Sequence, residues 1–278
     1  MKEFKYLQKL FFLLVMGFSL CFVCIACGDE EEDEPFDGPN QEQTDNNGNG
    51  TGNGGTSPTD SIMSPTDDPV LPNDSIASGE DDPMIPADSI LVIGGHEAVD
   101  LGLSVKWATC NVGASSPEEY GDYFAWGETT TKSSYDEDNS ITYNLSASEL
   151  QSRGIIDADG NLTAAYDAAT ANWGSSWRMP TLDEIKELVN KCTWEWTTLC
   201  GVAGRKITSP NGNSIFLPAS GERYRTDLRC VGTHGLYWSD SPNNERDIAY
   251  FLCLDSSGYL WSYDHRNYGF SVRPVLEQ

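Results

Sequence analysis

Apolar positions along the chain fall into three regimes. Leu10 to Val23 is an uncharged, mostly apolar run, residues 28–98 hold few apolar side chains, and from Val99 onward such residues recur with the spacings of strands and helices. In the last regime Val99–Ala108 alternates as a strand, and Asn111-Val112-Gly113 and Ser115-Ser116-Pro117 signal loops. Ala147–Arg153 and Leu162–Trp173 read as short helices, the second with a cap at Asn161. Thr181–Cys192 carries the strongest helical pattern: Pro180 precedes it, Thr181 and Glu184 form a capping box, and Leu182, Ile185, Leu188 and Val189 share one face. Strand patterns follow at Trp194–Leu199, Lys206–Thr208, Ser214–Leu217, Tyr237–Ser239, Ile248–Leu254, Tyr259–Tyr263 and Phe270–Val275. Asn211-Gly212 and Ser256-Ser257-Gly258 are the turns between them. Helices in the middle and strands at both ends predict an α+β domain over residues 99–278, with antiparallel sheets and two or three short helices.

Charge changes the picture upstream. The net charge is -26, yet no Lys or Arg occurs between Gly28 and Val105. Residues 27–98 are rich in Gly, Asn, Pro, Ser and Thr, with Phe36 as their single aromatic. Such a segment cannot bury enough apolar surface to offset its chain entropy, so a disordered acidic linker is expected, with an r.m.s. span of roughly 45 Å. Nucleic acid and anionic membrane are poor partners for this charge. Within the linker Pro58-Thr59-Asp60-Ser61-Ile62 recurs as Pro72-Asn73-Asp74-Ser75-Ile76 and Pro86-Ala87-Asp88-Ser89-Ile90, a period of 14 residues. That period is too short and polar for a stacked solenoid unit. Asp-Ser-Ile resembles the O-glycan acceptor of exported Bacteroidetes proteins, which would place sugars on Ser61, Ser75 and Ser89; the alternative is a duplicated, unmodified spacer.

The N-terminus has the layout of a secretory signal, with Lys2, Lys5 and Lys9 before the apolar run. Ala26 immediately before Cys27 resembles the bacterial lipobox, which implies removal of residues 1–26 and lipidation of Cys27. Leu10 to Cys27 is about 18 residues, at the short limit for a membrane helix, so an uncleaved anchor is the main alternative, and ordinary cleavage the lesser one. The acidic run Asp29 to Glu34 is similar to the surface-export signal of Bacteroidetes lipoproteins and points to the outer face of the outer membrane.

Several motifs of the head carry a further likeness. Val99-Asp100-Leu101-Gly102-Leu103-Ser104-Val105-Lys106-Trp107-Ala108, Tyr123-Phe124-Ala125-Trp126-Gly127-Glu128, Trp177-Arg178-Met179-Pro180-Thr181, Phe216-Leu217-Pro218-Ala219, Tyr237-Trp238-Ser239 and Ser271-Val272-Arg273-Pro274-Val275 occur in this order. Together they resemble the Fibrobacter succinogenes major paralogous domain. The resemblance implies a C-type-lectin-like fold, with first and last strands paired at the base and a loop-rich upper half. It names a scaffold better than an activity.

Candidate chemistry is thin. His96, His234 and His265 stand in no metal-ligand spacing, the serines lack a nucleophile elbow, and no phosphate-binding glycine motif occurs. Asp157-Ala158-Asp159-Gly160-Asn161 mimics a calcium loop but lacks its glycine position and its bidentate Glu, and reads as a turn. No catalytic residue, metal or cofactor is assigned. Five cysteines follow Cys27, namely Cys110, Cys192, Cys200, Cys230 and Cys253. Spacing cannot pair them, although Cys110 and Cys192 lie close to the family-like segments and rank first as a disulfide.

Aromatics supply the remaining signal. Trp238, Trp261 and Tyr263, with Arg246 and Arg266 nearby, are candidates for a ligand surface. Strand alternation sends Tyr259, Trp261 and Tyr263 to one face, where they are either core or a stacking platform. The function expected is a non-catalytic glycan- or protein-binding module on a surface lipoprotein. An enzyme acting on extracellular polymer or protein, and a structural or adhesive surface component, are the alternatives.

Overall fold

In the computed structural model the described residues are 90–278. The signal, linker, lipid and glycan expectations at Cys27, Ser61, Ser75 and Ser89 lie outside them. Strands β1 (Ile90–Ile93), β2 (His96–Val99) and β3 (Val105–Ala108) come first, followed by helices α1 (Ala147–Ser152) and α2 (Ala168–Trp173), β4 (Trp177–Arg178) and helix α3 (Leu182–Lys191). Next are β5 (Thr193–Leu199), β6 (Val202–Thr208), β7 (Ser214–Pro218), β8 (Glu222–Tyr224) and β9 (Asp227–Arg229). The chain closes with β10 (His234–Pro242), β11 (Ile248–Asp255), β12 (Tyr259–His265) and β13 (Val275–Glu277). These strands form a five-stranded sheet in the order β1-β2-β3-β13-β4, two three-stranded meanders, β5-β6-β7 and β10-β11-β12, and the β8-β9 hairpin. Every strand pair within the sheets is antiparallel. The architecture is therefore α+β with short helices, and among the described residues no helix is long and apolar enough to cross a membrane.

Several boundaries differ from expectation. The segment Val99–Ala108 is not one strand. Asp100 Oδ1 accepts the Gly102 N–H at 2.7 Å, Gly102 takes φ +66°, and Asn211 and Asn213 donate to the Asp100 carbonyl, so the chain bends between β2 and β3. The head also begins before Val99, because β1 pairs along the whole of β2. Composition placed the boundary too late: Ile90, the last residue of the third repeat, is the first residue of β1. The helix expected at Leu162–Trp173 shrinks to α2, since Leu162 bridges Ile156 and the cap is Asp167, whose Oδ1 accepts the Thr170 N–H at 2.8 Å. Helix α3 forms with its capping box in place: Thr181 Oγ1 accepts the Glu184 N–H, and Glu184 Oε2 accepts the Thr181 N–H. Of the expected Phe270–Val275 strand only Val275 is in β13, while Phe270 and Ser271 make isolated bridges to Phe124 and Tyr237.

The main core joins helix α3 to three sheets. Ile185 and Leu188 of α3 pack with Val105 and Trp107 of β3, Ile207 and Ile215 of the β5-β6-β7 meander, and Tyr237, Leu252 and Leu254 of the β10-β11-β12 meander. Trp107, Trp126 and Trp177 are buried. Residues 109–146, which hold few regular elements, are tied down by two buried guanidinium groups. Arg273 donates to Asn111 Oδ1 and to the carbonyls of Ala108, Thr109 and Phe216. Arg266 donates to the carbonyls of Ile248, Thr142, Leu145, Arg246 and Glu245 and lies over the Trp126 ring. A buried cation is tolerable only when its N–H groups are matched in this way.

Candidate functional site

The β11–β12 hairpin is closed by Asp255, whose Oδ1 accepts the N–H groups of Ser257 and Gly258. That turn fixes the register, which sets Tyr250 opposite Tyr263, Leu252 opposite Trp261 and Leu254 opposite Tyr259. Side chains alternate across a sheet, so these six residues share the face on which α3 packs. The aromatic stripe then divides along its length. Tyr259 stacks on Trp194 at 4.4 Å beside the Arg205 guanidinium and belongs with the main core. Trp261, 37% exposed, lies at the flank of α3 with Lys186 Nζ 5.3 Å from its ring centroid. Tyr263, 54% exposed, is open, and Tyr250 meets both rings edge-on at 6.1 and 6.2 Å.

Lys186 links the stripe to a shallow groove of about 570 Å³ along α3, lined by Ser104, Thr181, Asp183, Glu184, Lys186, Glu187, Asn190 and Lys191. Lys186 also pairs with Asp183 at 2.9 Å, and Glu187 accepts from Ser104 and Lys191, which holds its carboxyl below the usual range against the effect of burial. The surface therefore offers the open ring of Tyr263, the partly exposed ring of Trp261 with a cation at its face, and several carboxylate acceptors. It can stack an apolar face and hydrogen-bond the edge of a ligand.

The other candidates of the sequence separate clearly. Trp238 does not belong to a ligand surface: it is 0% exposed, donates its indole N–H to the Phe124 carbonyl at 2.9 Å and stacks on Phe270. Arg266 is likewise structural, with its guanidinium committed to backbone carbonyls. Arg246 is exposed, but its guanidinium is committed to Glu149 at 2.7 Å and to Asn144. The structure thus brings together Trp261 and Tyr263 of the five named residues. Sequence reasoning missed Tyr250 and Lys186; Tyr250 was legible from the alternation of β11, but Lys186 required the packing of α3.

Other reactive groups have structural settings. Cys110 and Cys192 form no disulfide. Cys192 ends α3 and is buried in the main core, where burial pushes its thiol up to about 11, whereas Cys110 lies past β3 beside Thr109. His96 stacks on Trp173 at 3.7 Å. Asp157 Oδ1 accepts the N–H groups of Asp159 and Asn161, so that segment is a turn. Two sets of carboxylates have raised pKa values: Glu222 is pushed up to about 7 by burial and by Asp264, and Asp240 to about 8 by burial and by Asp167. None of these four residues lines the α3 groove. Among the described residues, no three His, Cys, Asp or Glu side chains are placed to hold a metal ion.

Fold and site thus define an α+β head of antiparallel sheets with a half-open aromatic surface beside a capped helix. Comparison with known proteins finds no matching family model, curated protein or solved structure.

Proposed function

We propose that this chain is a surface-displayed lipoprotein whose lectin-like head is a non-catalytic binding module for a glycan or protein ligand. The observation that carries the reading is the open pair Trp261 and Tyr263, backed by Tyr250 and flanked by Lys186. Large aromatic rings left half in water on a rigid strand give contact area at low entropy cost. The lectin-like assignment draws support from β13, which pairs with β3 near the start of the head and closes the sheet against β4. In this reading Cys27 bears the lipid, residues 27–89 form a stalk that carries sugars on Ser61, Ser75 and Ser89, and the outer membrane surface is the place of display.

The decisive experiment is binding of the full chain to a glycan array and to surface-protein extracts, with Trp261→Ala and Tyr263→Ala as comparison variants. Saturable binding lost in both variants at unchanged thermal stability supports the reading; binding to nothing, or equal binding by both variants, overturns it. Labelling with radioactive palmitate, abolished by Cys27→Ala, tests the anchor. One observation favours a structural or adhesive component instead. Edge strand β1 exposes Leu91 and Val92, and an exposed apolar edge invites strand pairing. Concentration-dependent self-association removed by Val92→Lys would select that alternative.

A further inference from the structure

The register of the β11–β12 hairpin also decides where the backbone of β12 points. At one end of the hairpin the Asp255 N–H bonds the Gly258 carbonyl at 2.9 Å, and at the other the Arg266 N–H bonds the Asp247 carbonyl at 2.8 Å. Bonded and unbonded pairs alternate along an antiparallel ladder, and both ends give the same phase. Leu260, Ser262 and Asp264 therefore bond back to β11, opposite Cys253, Phe251 and Ala249, while Tyr259, Trp261 and Tyr263 turn their N–H and C=O groups away from it. Strand β12 is the last of its sheet: among the described residues no strand lies beside it, and no other backbone group bonds these six. The row ends at His265, whose carbonyl accepts the Tyr268 N–H at 3.1 Å.

An edge of unpaired donors and acceptors is a template for a further strand, and proteins blunt such edges with proline or charge. Residues 259–263, Tyr-Leu-Trp-Ser-Tyr, carry neither. The open backbone coincides with the open side chains, since Trp261 and Tyr263 present both. The row repeats every second residue, or about 7 Å, which is the repeat of another extended backbone. A strand laid along it would set alternate side chains directly opposite Trp261 and Tyr263, on their face of the sheet. Charge narrows the choice of strand. The chain carries a net charge of -26, and Asp183, with 89% of its side chain exposed, stands near Trp261 through Lys186. A second copy would bring like charge to this edge, whereas a basic segment is drawn to it. We propose that the open edge of β12 binds an extended, basic peptide segment of a partner protein as a fourth strand of the β10-β11-β12 sheet, with alternate apolar side chains resting on Trp261 and Tyr263. This rests on the reading of the aromatic surface as a binding site, and names its ligand as peptide rather than glycan.

The test selects decapeptides from a random phage-displayed library on the full chain, then follows the tightest one, made synthetically, by amide hydrogen exchange of the isotope-labelled full chain. In the free chain the Trp261 and Tyr263 amides should exchange at least tenfold faster than those of Leu260 and Ser262, and saturating peptide should slow them tenfold or more. The selected sequences should carry Lys or Arg, with apolar residues at alternate positions. A bound strand turns one alternate set of its N–H groups to β12 and the other to water, so N-methylation of one set should weaken binding tenfold or more and of the other less than twofold. Failure to enrich any peptide, binding that leaves the Trp261 and Tyr263 amides as fast as before, or equal effects of the two methylated sets would each overturn the proposal. Slowing of these amides by raised protein concentration alone would overturn it in favour of a second copy. A glycan that binds through both rings without slowing the amides, where no peptide binds, would overturn it while leaving the aromatic surface as a binding site; absence of glycan and peptide binding alike would remove both.

Discussion

The β10-β11-β12 meander carries tryptophans on its two faces, and they have opposite fates. Trp238 stands opposite Phe251 and Trp261 opposite Leu252, so a step of one residue along β11 separates their faces. Trp238 is packed between Phe251 and Phe270 with its N–H matched to a carbonyl. Trp261 has a lysine at its face and Tyr250 at its edge, and is 37% exposed. Strand alternation tells which residues share a face, and only the element laid on that face tells whether it is covered. Helix α3 covers Leu252 and Leu254 but leaves Trp261 half open and Tyr263 beyond it.

This contrast can be broken by substitution. The largest effect is expected from Trp238→Ala, which opens a cavity and leaves the Phe124 carbonyl without its donor; chemical denaturation should show a loss of about 3–5 kcal/mol. Glu222 and Asp264 come next. The folded state keeps the Glu222 proton up to a pH of about 7, whereas the unfolded chain releases it near 4.5. Stability from this group is therefore fully present at low pH and is lost as pH rises through 4.5 to 7, by on the order of 2–3 kcal/mol between pH 5 and 8. Asp240, at about 8, acts in the same direction. Denaturation midpoints should fall from pH 5 to 8, and Glu222→Gln should flatten that fall. A smaller change, about 1 kcal/mol, is expected for Thr181→Ala, which removes the cap of the helix that covers the sheet. Least of all in stability, by less than about 1 kcal/mol, should be the cost of Tyr263→Ala, a residue more than half exposed.

How much of this was legible in the sequence depends on the distance between the residues involved. The capping box of Thr181 and Glu184 and the alternation of β12 are local, and both appear where the pattern put them. Arg266 was misjudged because its value lies in five carbonyls, three of them on segments around 142–145 and 245 that no spacing relates to it. Trp238 was misjudged for the same reason: Phe124, its acceptor, is 114 positions away. The β8–β9 hairpin went unseen because Glu222-Arg223-Tyr224 is short and half polar, yet it forms one wall of a small cavity beside Asp136.

The central claim is that the uncovered end of the α3 face is a binding surface and not merely core that α3 fails to reach. It is tested most directly by measuring, on one preparation each of the full chain and its Trp261→Ala and Tyr263→Ala double variant, both the thermal midpoint and binding to a glycan or surface ligand selected by the unaltered chain. The account predicts a midpoint within a few degrees and at least a tenfold loss of affinity; a large drop in midpoint with affinity retained in the folded fraction would contradict it.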